Sequence, residues 1–338
     1  MKLKIKTIQL LCLFLLINVD FVFAQSGHYS PASEQIRDYV VSPAGFYGFI
    51  YNYWYTSRRY NNNEGVKVSS IIIGPGGGDT MSVNENFKSY SISPDFCWVT
   101  KLNSAGVKFG ASISPTLASA HAGAALTTIS EKGLWFNESQ FAMGDLYVEP
   151  VLFGLTKKHW DFALSYSFYA PTGKYNIDSV TLPHSGVIKI TAPDNIGLGY
   201  WTNQFQGAVS WYPWPDQRMA VATAFTYEIN GNQKGFDLTP GQNFSFNWGI
   251  SEYLPLDKKQ SWQLTLGITG YGSWQVSRDK GSDATNTDQF KRVAGIGAQL
   301  GLIYQPIALS LSIHGFNQFN ALNLFEGQSY GLVIGKTF

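Results

Sequence analysis

Hydrophobic and polar residues alternate with a period of two along much of this chain. Successive side chains of a β-strand point to opposite faces, so the alternation predicts strands with one apolar and one polar face. One example has Trp160, Phe162, Leu164, Tyr166 and Phe168 on one face, and Asp161, Ala163, Ser165 and Ser167 on the other. The pattern predicts about 12 strands, near 45–56, 88–100, 107–118, 142–155, 160–170, 203–212, 219–229, 242–253, 261–273, 291–304, 307–318 and 327–338.

The segments between the predicted strands alternate in length. Long segments fall at 57–87, 119–141, 171–202, 230–241, 274–290 and 319–326, and the segments between the other strands are short. Short periplasmic turns, longer extracellular loops and an even number of strands are typical of bacterial outer-membrane barrels. The sequence therefore predicts an all-β fold, a transmembrane antiparallel β-barrel of about 12 strands over residues 45–338.

The last nine residues read as the strand that closes this barrel. Tyr330, Leu332, Ile334 and the terminal Phe338 follow the alternating pattern. A barrel in lipid must pair its last strand with its first, because an unpaired strand edge is too costly there. We expect Tyr330 and Phe338 to form the barrel-closing signal that the barrel-assembly machinery reads.

The N-terminal region predicts export. Three lysines precede an apolar run from Ile8 to Ile17, and Val22-Phe23-Ala24 follows as a pattern typical of a signal peptide cleaved after Ala24. Residues 1–24 are thus predicted to be the signal peptide, and the location to be the outer membrane. Residues 25–44, which include Pro31 and Pro43, are predicted to form a periplasmic arm or a plug inside the barrel.

Composition agrees with a membrane barrel. Charged residues make up 14% of the chain, against a usual fraction of about 25%. The formal net charge is +1, which gives no reason to expect nucleic acid as a partner. Once the signal peptide is removed, Cys97 is the remaining cysteine, so an internal disulfide is excluded.

Several charged residues fall on the predicted inner face. By strand parity these are Lys108, Asp145, Glu149, Glu228 and Arg292, with His314 as a further inward residue. They can form structural ion pairs across a wet lumen or shape its selectivity, and both interpretations stay open. No metal or other cofactor is expected, because the histidines lack metal-ligand spacing. His314 lies near Ser310 and Ser312 in the sequence. An enzymatic site, with the histidine as base and a serine as nucleophile, therefore stays open as an alternative.

A family resemblance rests on several short motifs. Gly27-His28-Tyr29 with Pro31, and Pro43-Ala44-Gly45-Phe46-Tyr47 leading into 51–55, resemble the N-terminal signature of the outer-membrane transporters named for the MetA pathway of phenol degradation. Later matches are Ala170-Pro171-Thr172-Gly173 with Tyr175, Asn195 with Gly197, Tyr200-Trp201, 227–232 and Gly270-Tyr271. The resemblance implies an outer-membrane barrel that takes up hydrophobic or aromatic compounds.

These observations predict a channel without enzymatic activity. Its expected role is the passive passage of small hydrophobic or aromatic solutes, with outer-membrane lipid as its surroundings. Residues 27–47 would act as plug or gate, with His28, Tyr29, Pro31 and Pro43 as candidate gating residues. Two alternatives stay open: a barrel that hydrolyses lipids, and a structural or adhesive barrel whose loops carry the function. The sequence leaves the substrate and the oligomeric state undetermined.

Overall fold

The alternating segments form the strands of one closed sheet. The computed structural model describes residues 27–73, 79–100, 106–126, 134–138, 141–182, 186–192, 195–284 and 287–338. The predicted signal peptide and its cleavage site lie outside these residues. Within the described ranges, no helix is long and apolar enough to cross a membrane.

The fold is a closed antiparallel barrel of 12 strands. β1 pairs with β12 on one side and with β2 on the other, so the sheet closes on itself. The strands are β1 (Gly45–Asn61), β2 (Asp79–Val99), β3 (in two segments, Val107–Ser114 and Leu117–Leu126), β4 (Leu146–Lys157), β5 (Trp160–Ala170), β6 (Thr202–Trp211), β7 (Met219–Asn230), β8 (Asn243–Pro255), β9 (Trp262–Gln275), β10 (Arg292–Tyr304), β11 (Leu309–Leu322) and β12 (Leu324–Thr337).

Three short strands extend the barrel sheet, and one hairpin forms a separate sheet. Ser70–Ile73 pairs with β2, Leu134–Glu138 and Ala142–Met143 pair with β3, and Ile177–Leu182 forms a hairpin with Gly186–Thr191. Two short 3₁₀ turns, Pro31–Ser33 and Gln305–Ile307, complete the described secondary structure.

The predicted strands are confirmed, but three predicted long loops are partly wrong. Strand structure extends into 57–61, 79–87 and 119–126, and the predicted loop 319–326 is strand apart from Asn323. Asn320 and Asn323 have positive φ angles, which asparagine tolerates better than most residues. The alternation weakens in these extensions because strands that rise above the lipid do not need an apolar outer face.

The predicted facing of the wall is confirmed. Leu164 is 61% exposed on the outer face, and Ile313 and Trp98 are exposed in the same way. Asp161 and Ser167 are buried on the inner face. An outward apolar band with a polar interior is the arrangement of a membrane barrel, and the protein accordingly resides in the bacterial outer membrane.

The prediction that Arg292 faces the lumen is wrong. Val293 and Gln299 are buried on the inner face of β10, whereas Ile296 and Leu300 are exposed on the outer face. Arg292 has the parity of the outer residues and donates a hydrogen bond to Asn320 Oδ1 at 3.0 Å on β11. The pairing of β10 with β11 shifts register at this point, at the extracellular end of both strands. Arg292 therefore does not line the lumen.

Candidate functional site

Residues 27–44, here called the inner segment, lie within the barrel. Gly27 lies near Glu228 at the extracellular end of β7, and Arg37 reaches the short turn between β6 and β7. Short turns mark the periplasmic side of such barrels. The inner segment therefore runs along the lumen from its extracellular end to its periplasmic end, where it joins β1.

The extracellular end of the inner segment is held by His28. Its Nε2 lies 2.9 Å from Asp145 Oδ2, and its Nδ1 lies 2.8 Å from Thr202 Oγ1. The imidazole stacks on Tyr169 with ring centroids 4.6 Å apart and meets Tyr200 edge-on. His28 and Asp145 are both buried, so their contact is shielded from solvent.

Asp145 is positioned by the loops above the barrel. Its Oδ1 accepts the backbone N–H of Gly173 at 2.9 Å, and its Oδ2 accepts that of Leu198 at 2.8 Å. A Cβ on Gly197 would lie 2.7 Å from Asp145 Oδ1, so a larger residue there would push the carboxylate aside. The motifs around Gly173 and Gly197 therefore orient the carboxylate that holds His28.

Tyr29 is bound on two sides. Its backbone N–H donates to Glu228 Oε1 at 2.8 Å, and its hydroxyl donates to Glu34 Oε2 at 2.8 Å. Asn247 on β8 donates its amide to the same hydroxyl at 2.9 Å. Tyr29 thus connects the inner segment to β7 and β8.

The middle of the inner segment rests in a groove formed by glycines. Ile36 is 1% exposed, and a Cβ on Gly249 would lie 2.6 Å from Ile36 Cγ1. A Cβ on Gly267 would also collide with Ile36. The backbone N–H of Ile36 donates to Gln299 Oε1 at 3.1 Å. Glycine on the inner face of β8 and β9 therefore provides the space that Ile36 fills.

Gln35 and Arg37 fix the residues on either side of Ile36. Gln35 Oε1 accepts hydrogen bonds from Ser312 Oγ at 2.6 Å and from Gln299 Nε2 at 3.2 Å. Arg37 Nε donates to Ser251 Oγ at 3.0 Å, and its other nitrogens donate to the carbonyl oxygens of residues 217 and 218. The guanidinium also lies 3.7 Å from the centroid of the Tyr253 ring, in a cation–π contact.

The periplasmic part of the inner segment contacts the opposite wall. Lys108 Nζ donates to Val41 O at 2.7 Å, and a Cβ on Gly154 would lie 2.6 Å from Val41 Cβ. Tyr51 donates its hydroxyl to Asp38 Oδ2 at 3.2 Å, and Tyr47 donates to Pro43 O at 2.6 Å. Contacts on both walls therefore hold the inner segment across the lumen.

A cavity of about 400 Å³ remains beside the inner segment. Its lining combines carboxyl groups with many hydroxyl groups from the inner faces of β1 to β6, and one side is formed by the inner segment itself. The serine residues of β2 and β3 in this lining are Ser89, Ser91, Ser93, Ser112, Ser114 and Ser119.

The wall of the cavity is irregular where two prolines face each other. The two segments of β3 are separated at Pro115, and the pairing of β2 with β3 has a gap opposite it, around Pro94. Proline cannot donate a ladder hydrogen bond, which explains the gap. Ser114 Oγ donates to Pro94 O at 3.0 Å, and the hydroxyl groups of Ser93 and Thr116 are 2.8 Å apart.

Burial shifts the acidity of two carboxyl groups on the inner segment. Desolvation raises the pKa of Glu34 to about 8, and the charges of Asp38 and Glu149 add to this effect. Desolvation also raises the pKa of Asp38 to about 6, although hydrogen bonds from Gln35 and Tyr51 oppose it. Both groups therefore hold protons more tightly within the lumen than in water.

The structure brings most of the predicted site residues together. Lys108, Asp145, Glu149, Glu228 and His314 face the lumen, and three of them contact the inner segment directly: Lys108, Asp145 and Glu228. Of the four candidate gating residues, His28 and Tyr29 hold the extracellular end, Pro31 begins a 3₁₀ turn, and Pro43 accepts the bond from Tyr47. Sequence reasoning missed Gln35, Ile36 and Arg37 and their partners, although Gly249 and Gly267 within predicted strands were a usable signal.

The two chain-closing residues lie on the outer surface. Tyr330 is exposed on β12 and pairs with Trp54 of β1, and Phe338 is 75% exposed. The backbone N–H of Phe338 donates to Phe46 O at 2.9 Å, and the two rings have centroids 5.9 Å apart. The last residue thus extends the closing ladder to its periplasmic end.

Three solved structures are similar to this chain. An outer membrane channel from Pseudomonas putida F1 is similar with a TM-score of 0.62 and 13% identity, and the match covers 90% of this chain and 100% of that one. The β domain of the Bordetella autotransporter BrkA has a TM-score of 0.46 and 9% identity, covering 87% of this chain and 100% of that one. The translocator domain of the autotransporter NalP from Neisseria meningitidis has a TM-score of 0.45 and 11% identity, covering 90% and 92%.

At the level of sequence, none of the curated proteins matches this chain. A family model does match it, over residues 57–332, which is most of the barrel. This agrees with the resemblance of the motifs around Gly173, Gly197 and Tyr271 and with the shared fold of an outer-membrane channel. The chain therefore belongs to the outer-membrane barrel family described as "Putative MetA-pathway of phenol degradation".

Proposed function

We propose that this protein is a passive channel for small hydrophobic or aromatic solutes, and that its inner segment is a plug that must shift before a solute can pass. The observation that carries the proposal is the position of Ile36, which is buried in the groove of Gly249 and Gly267 across the lumen. The segment that carries this side chain also contacts Lys108 and Gly154 through Val41, so it crosses the lumen from one wall to the other. Family membership supports a role in the handling of phenolic compounds.

Many of the contacts between the plug and the wall are hydrogen bonds, which can be exchanged one at a time. A typical intramolecular hydrogen bond contributes about 0.5–1.5 kcal/mol net. The contacts of Gln35 and Tyr29 with the wall are of this kind and can be exchanged for contacts with water or solute. Movement of the plug would join the cavity of about 400 Å³ to both ends of the lumen. Transport of this kind follows the solute gradient and needs no bound energy source.

We further propose that the barrel is a channel rather than an enzyme. The hydroxyl of Ser312 donates to Gln35 Oε1 at 2.6 Å, and that of Ser310 donates to Gly335 O at 3.4 Å. Both hydroxyl groups are thus directed at carbonyl oxygens of the plug or the neighbouring strand. Lipid hydrolysis that is lost on His314→Ala would contradict this assignment.

A reversible lock tests whether the plug must move. Cysteines at positions 36 and 249, in a Cys97→Ser background, place their Cβ atoms within reach of a disulfide, since a Cβ at 249 would lie 2.6 Å from Ile36 Cγ1. We expect the oxidised variant to lose uptake of radiolabelled phenol by intact Gram-negative cells, and a reductant to restore it. A sugar of similar size should enter slowly in both states.

The matched control places the disulfide within the wall. Ser245 and Ser273 are paired neighbours on β8 and β9, and their hydroxyl oxygens are 2.9 Å apart. The Ser245→Cys/Ser273→Cys variant should transport phenol equally in its oxidised and reduced forms. Equal uptake by the locked and unlocked plug variants would show that the plug does not gate the channel. No uptake by any form would contradict the channel itself.

A further inference from the structure

Four carboxyl groups around the cavity have no basic partner among the residues that the structure describes. They are Glu34 and Asp38 on the plug, Asp95 on β2 and Glu149 on β4, and all four line the cavity. Glu34 and Asp95 are each influenced by the charges of Asp38 and Glu149. In the described part of the chain, these four groups interact with one another, with tyrosine and serine hydroxyls and with amides, rather than with a lysine, arginine or histidine.

The basic groups of the lumen are engaged elsewhere. His28 contacts Asp145 and lies close enough to Glu228 to stabilise its charge. Lys108 donates to Val41 O and has Asp161 as its acidic neighbour. Arg37 is bound to Ser251 and to backbone carbonyl groups at the periplasmic turn. In the described part of the chain, these basic groups therefore stabilise Asp145, Glu228 and Asp161 rather than the four carboxyl groups, although His28 and Arg37 also border the cavity.

A second observation comes from Gln204 on β6. Its side chain is 2% exposed and lines the cavity, and its Oε1 has no hydrogen-bond partner among the residues that the structure describes. A buried carbonyl oxygen without a donor is unfavourable by about 1–3 kcal/mol. A ligand that carries N–H groups would provide the missing donor.

Aromatic rings complete the lining. Tyr51 and Tyr53 of β1, Tyr147 of β4 and Tyr169 of β5 border the cavity. Tyrosine rings bind a cation over the ring face and stack with an aromatic ligand. The cavity volume of about 400 Å³ is within the range of small-molecule sites.

We propose that this cavity is a binding site for small aromatic amines in their ammonium form. The ammonium group lies against Glu149 and Asp95 and donates to Gln204 Oε1, while the ring packs on the tyrosines. A bound cation favours the ionised form of these carboxyl groups and is attracted by it, whereas an anion is repelled. The inference rests on the proposed function, because it names the solute class that the channel favours.

Three isosteric probes test the charge preference. Benzylamine, benzyl alcohol and benzoate differ mainly in a group that is cationic, neutral or anionic at neutral pH. Titration calorimetry on the complete mature barrel in detergent should show that benzylamine binds at least about tenfold more tightly than benzyl alcohol. Benzoate should show no binding. Sodium chloride at the concentration of the amine should not compete.

Wall variants test the location of the site. Glu149→Gln and Asp95→Asn each remove one charge with little change in shape, and each should weaken benzylamine binding roughly tenfold while benzyl alcohol is unaffected. The matched control is Asp161→Asn, since Asp161 is also a buried inward carboxylate but lies outside the cavity lining and binds Tyr212 at 2.7 Å. It should leave benzylamine binding unchanged. Heat-shifted gel mobility verifies that each variant is folded.

Several outcomes would overturn the inference. Equal binding of benzylamine and benzyl alcohol, or binding of benzoate, would exclude a cation site. An unchanged affinity in both wall variants would place the site elsewhere, and competition by sodium at equal concentration would assign it to inorganic cations. Selective amine binding without phenol transport would leave the site intact and refute the channel, whereas phenol transport without amine preference would refute only the site.

Discussion

The side chain of Ile36 lies directly against the backbone of Gly249, where a Cβ would be 2.6 Å from Ile36 Cγ1. The contact joins two residues far apart in the sequence and fixes the depth of the plug in the lumen. Gln299 accepts the backbone N–H of Ile36, so the docked position of the plug is well defined. A methyl group in place of one Cα hydrogen of Gly249 should therefore displace the plug.

We predict that Gly249→Ala opens the channel. The new methyl group overlaps with Ile36, and overpacking of this kind costs about 1–3 kcal/mol. The hydrogen bonds between the barrel strands are unchanged, so this free energy is lost from the docking of the plug. The mean conductance in planar bilayers should therefore rise several-fold. The matched control is Gly207→Ala on the outer face, where a Cβ would meet Leu164 at an ordinary 3.5 Å. A similar conductance in Gly249→Ala and wild type would show that the plug tolerates the methyl group.

The second prediction concerns the buried pair His28 and Asp145. Removal of one partner from a buried pair costs about 3–5 kcal/mol, because the other group is left without compensation. His28→Leu should therefore free the extracellular end of the plug, raise conductance and lower the temperature of the gel-mobility shift. Addition of Asp145→Asn to His28→Leu should restore part of the lost thermal stability. His159, which contacts Tyr212 O at the periplasmic turn, provides the control substitution His159→Leu.

A double-mutant cycle shows whether His28 and Asp145 stabilise the plug through each other or independently. If the effects of His28→Leu and Asp145→Asn simply add, the two groups do not stabilise each other. If His159→Leu opens the channel to the same extent, the response is not specific to the plug.

The sequence predicts the barrel more completely than its lumen. Lipid requires an apolar residue at every second position of a spanning strand, so residues such as Leu164 and Ile313 reveal the strands directly. The alternation cannot show what fills the interior, because a buried serine and a wetted serine look alike in a sequence. Ser312 illustrates this, since its hydroxyl binds Gln35 of the plug.

Residues of the plug carry weak sequence signals. Gln35, Ile36 and Arg37 lie in a stretch without periodicity, and their positions depend on partners more than 170 residues away, such as Ser251 and Gln299. The family motifs were more informative. The segments around Gly173 and Gly197 meet at Asp145, so positions that are distant in the sequence converge on the carboxylate that holds His28.

The third prediction is that alkaline pH loosens the plug. Burial on docking raises the pKa of Glu34 from 4.5 to about 8. The groups around it are Tyr29, Tyr39 and Asp38 of the plug and Glu149 and Gln206 of the wall. The docked state thus binds more protons than the withdrawn state between these two values. Its stabilisation is complete below pH 4.5 and is lost as the pH rises through 8.

Conductance should therefore increase between pH 5 and pH 9. Glu34→Gln removes the main titrating group and should flatten the profile, leaving a weaker rise near pH 6 from Asp38. The measurement is bilayer conductance across this range at constant ionic strength. A profile that is equally steep in Glu34→Gln and wild type would exclude Glu34 as its source.

The last prediction separates assembly in the cell from stability of the folded barrel. Phe338 is 75% exposed, and its loss removes one backbone hydrogen bond at the end of a long ladder. Deletion of Phe338 should change the free energy of unfolding of the refolded barrel by about 1 kcal/mol at most. If the terminal aromatic residue is a signal for the assembly machinery, the amount inserted in cells should fall several-fold. Phe338→Tyr keeps an aromatic ring and should restore insertion, whereas Phe338→Ser should not. Normal insertion of the deletion variant, or a matching loss in refolding without any machinery, would show that Phe338 acts only through the closing strand.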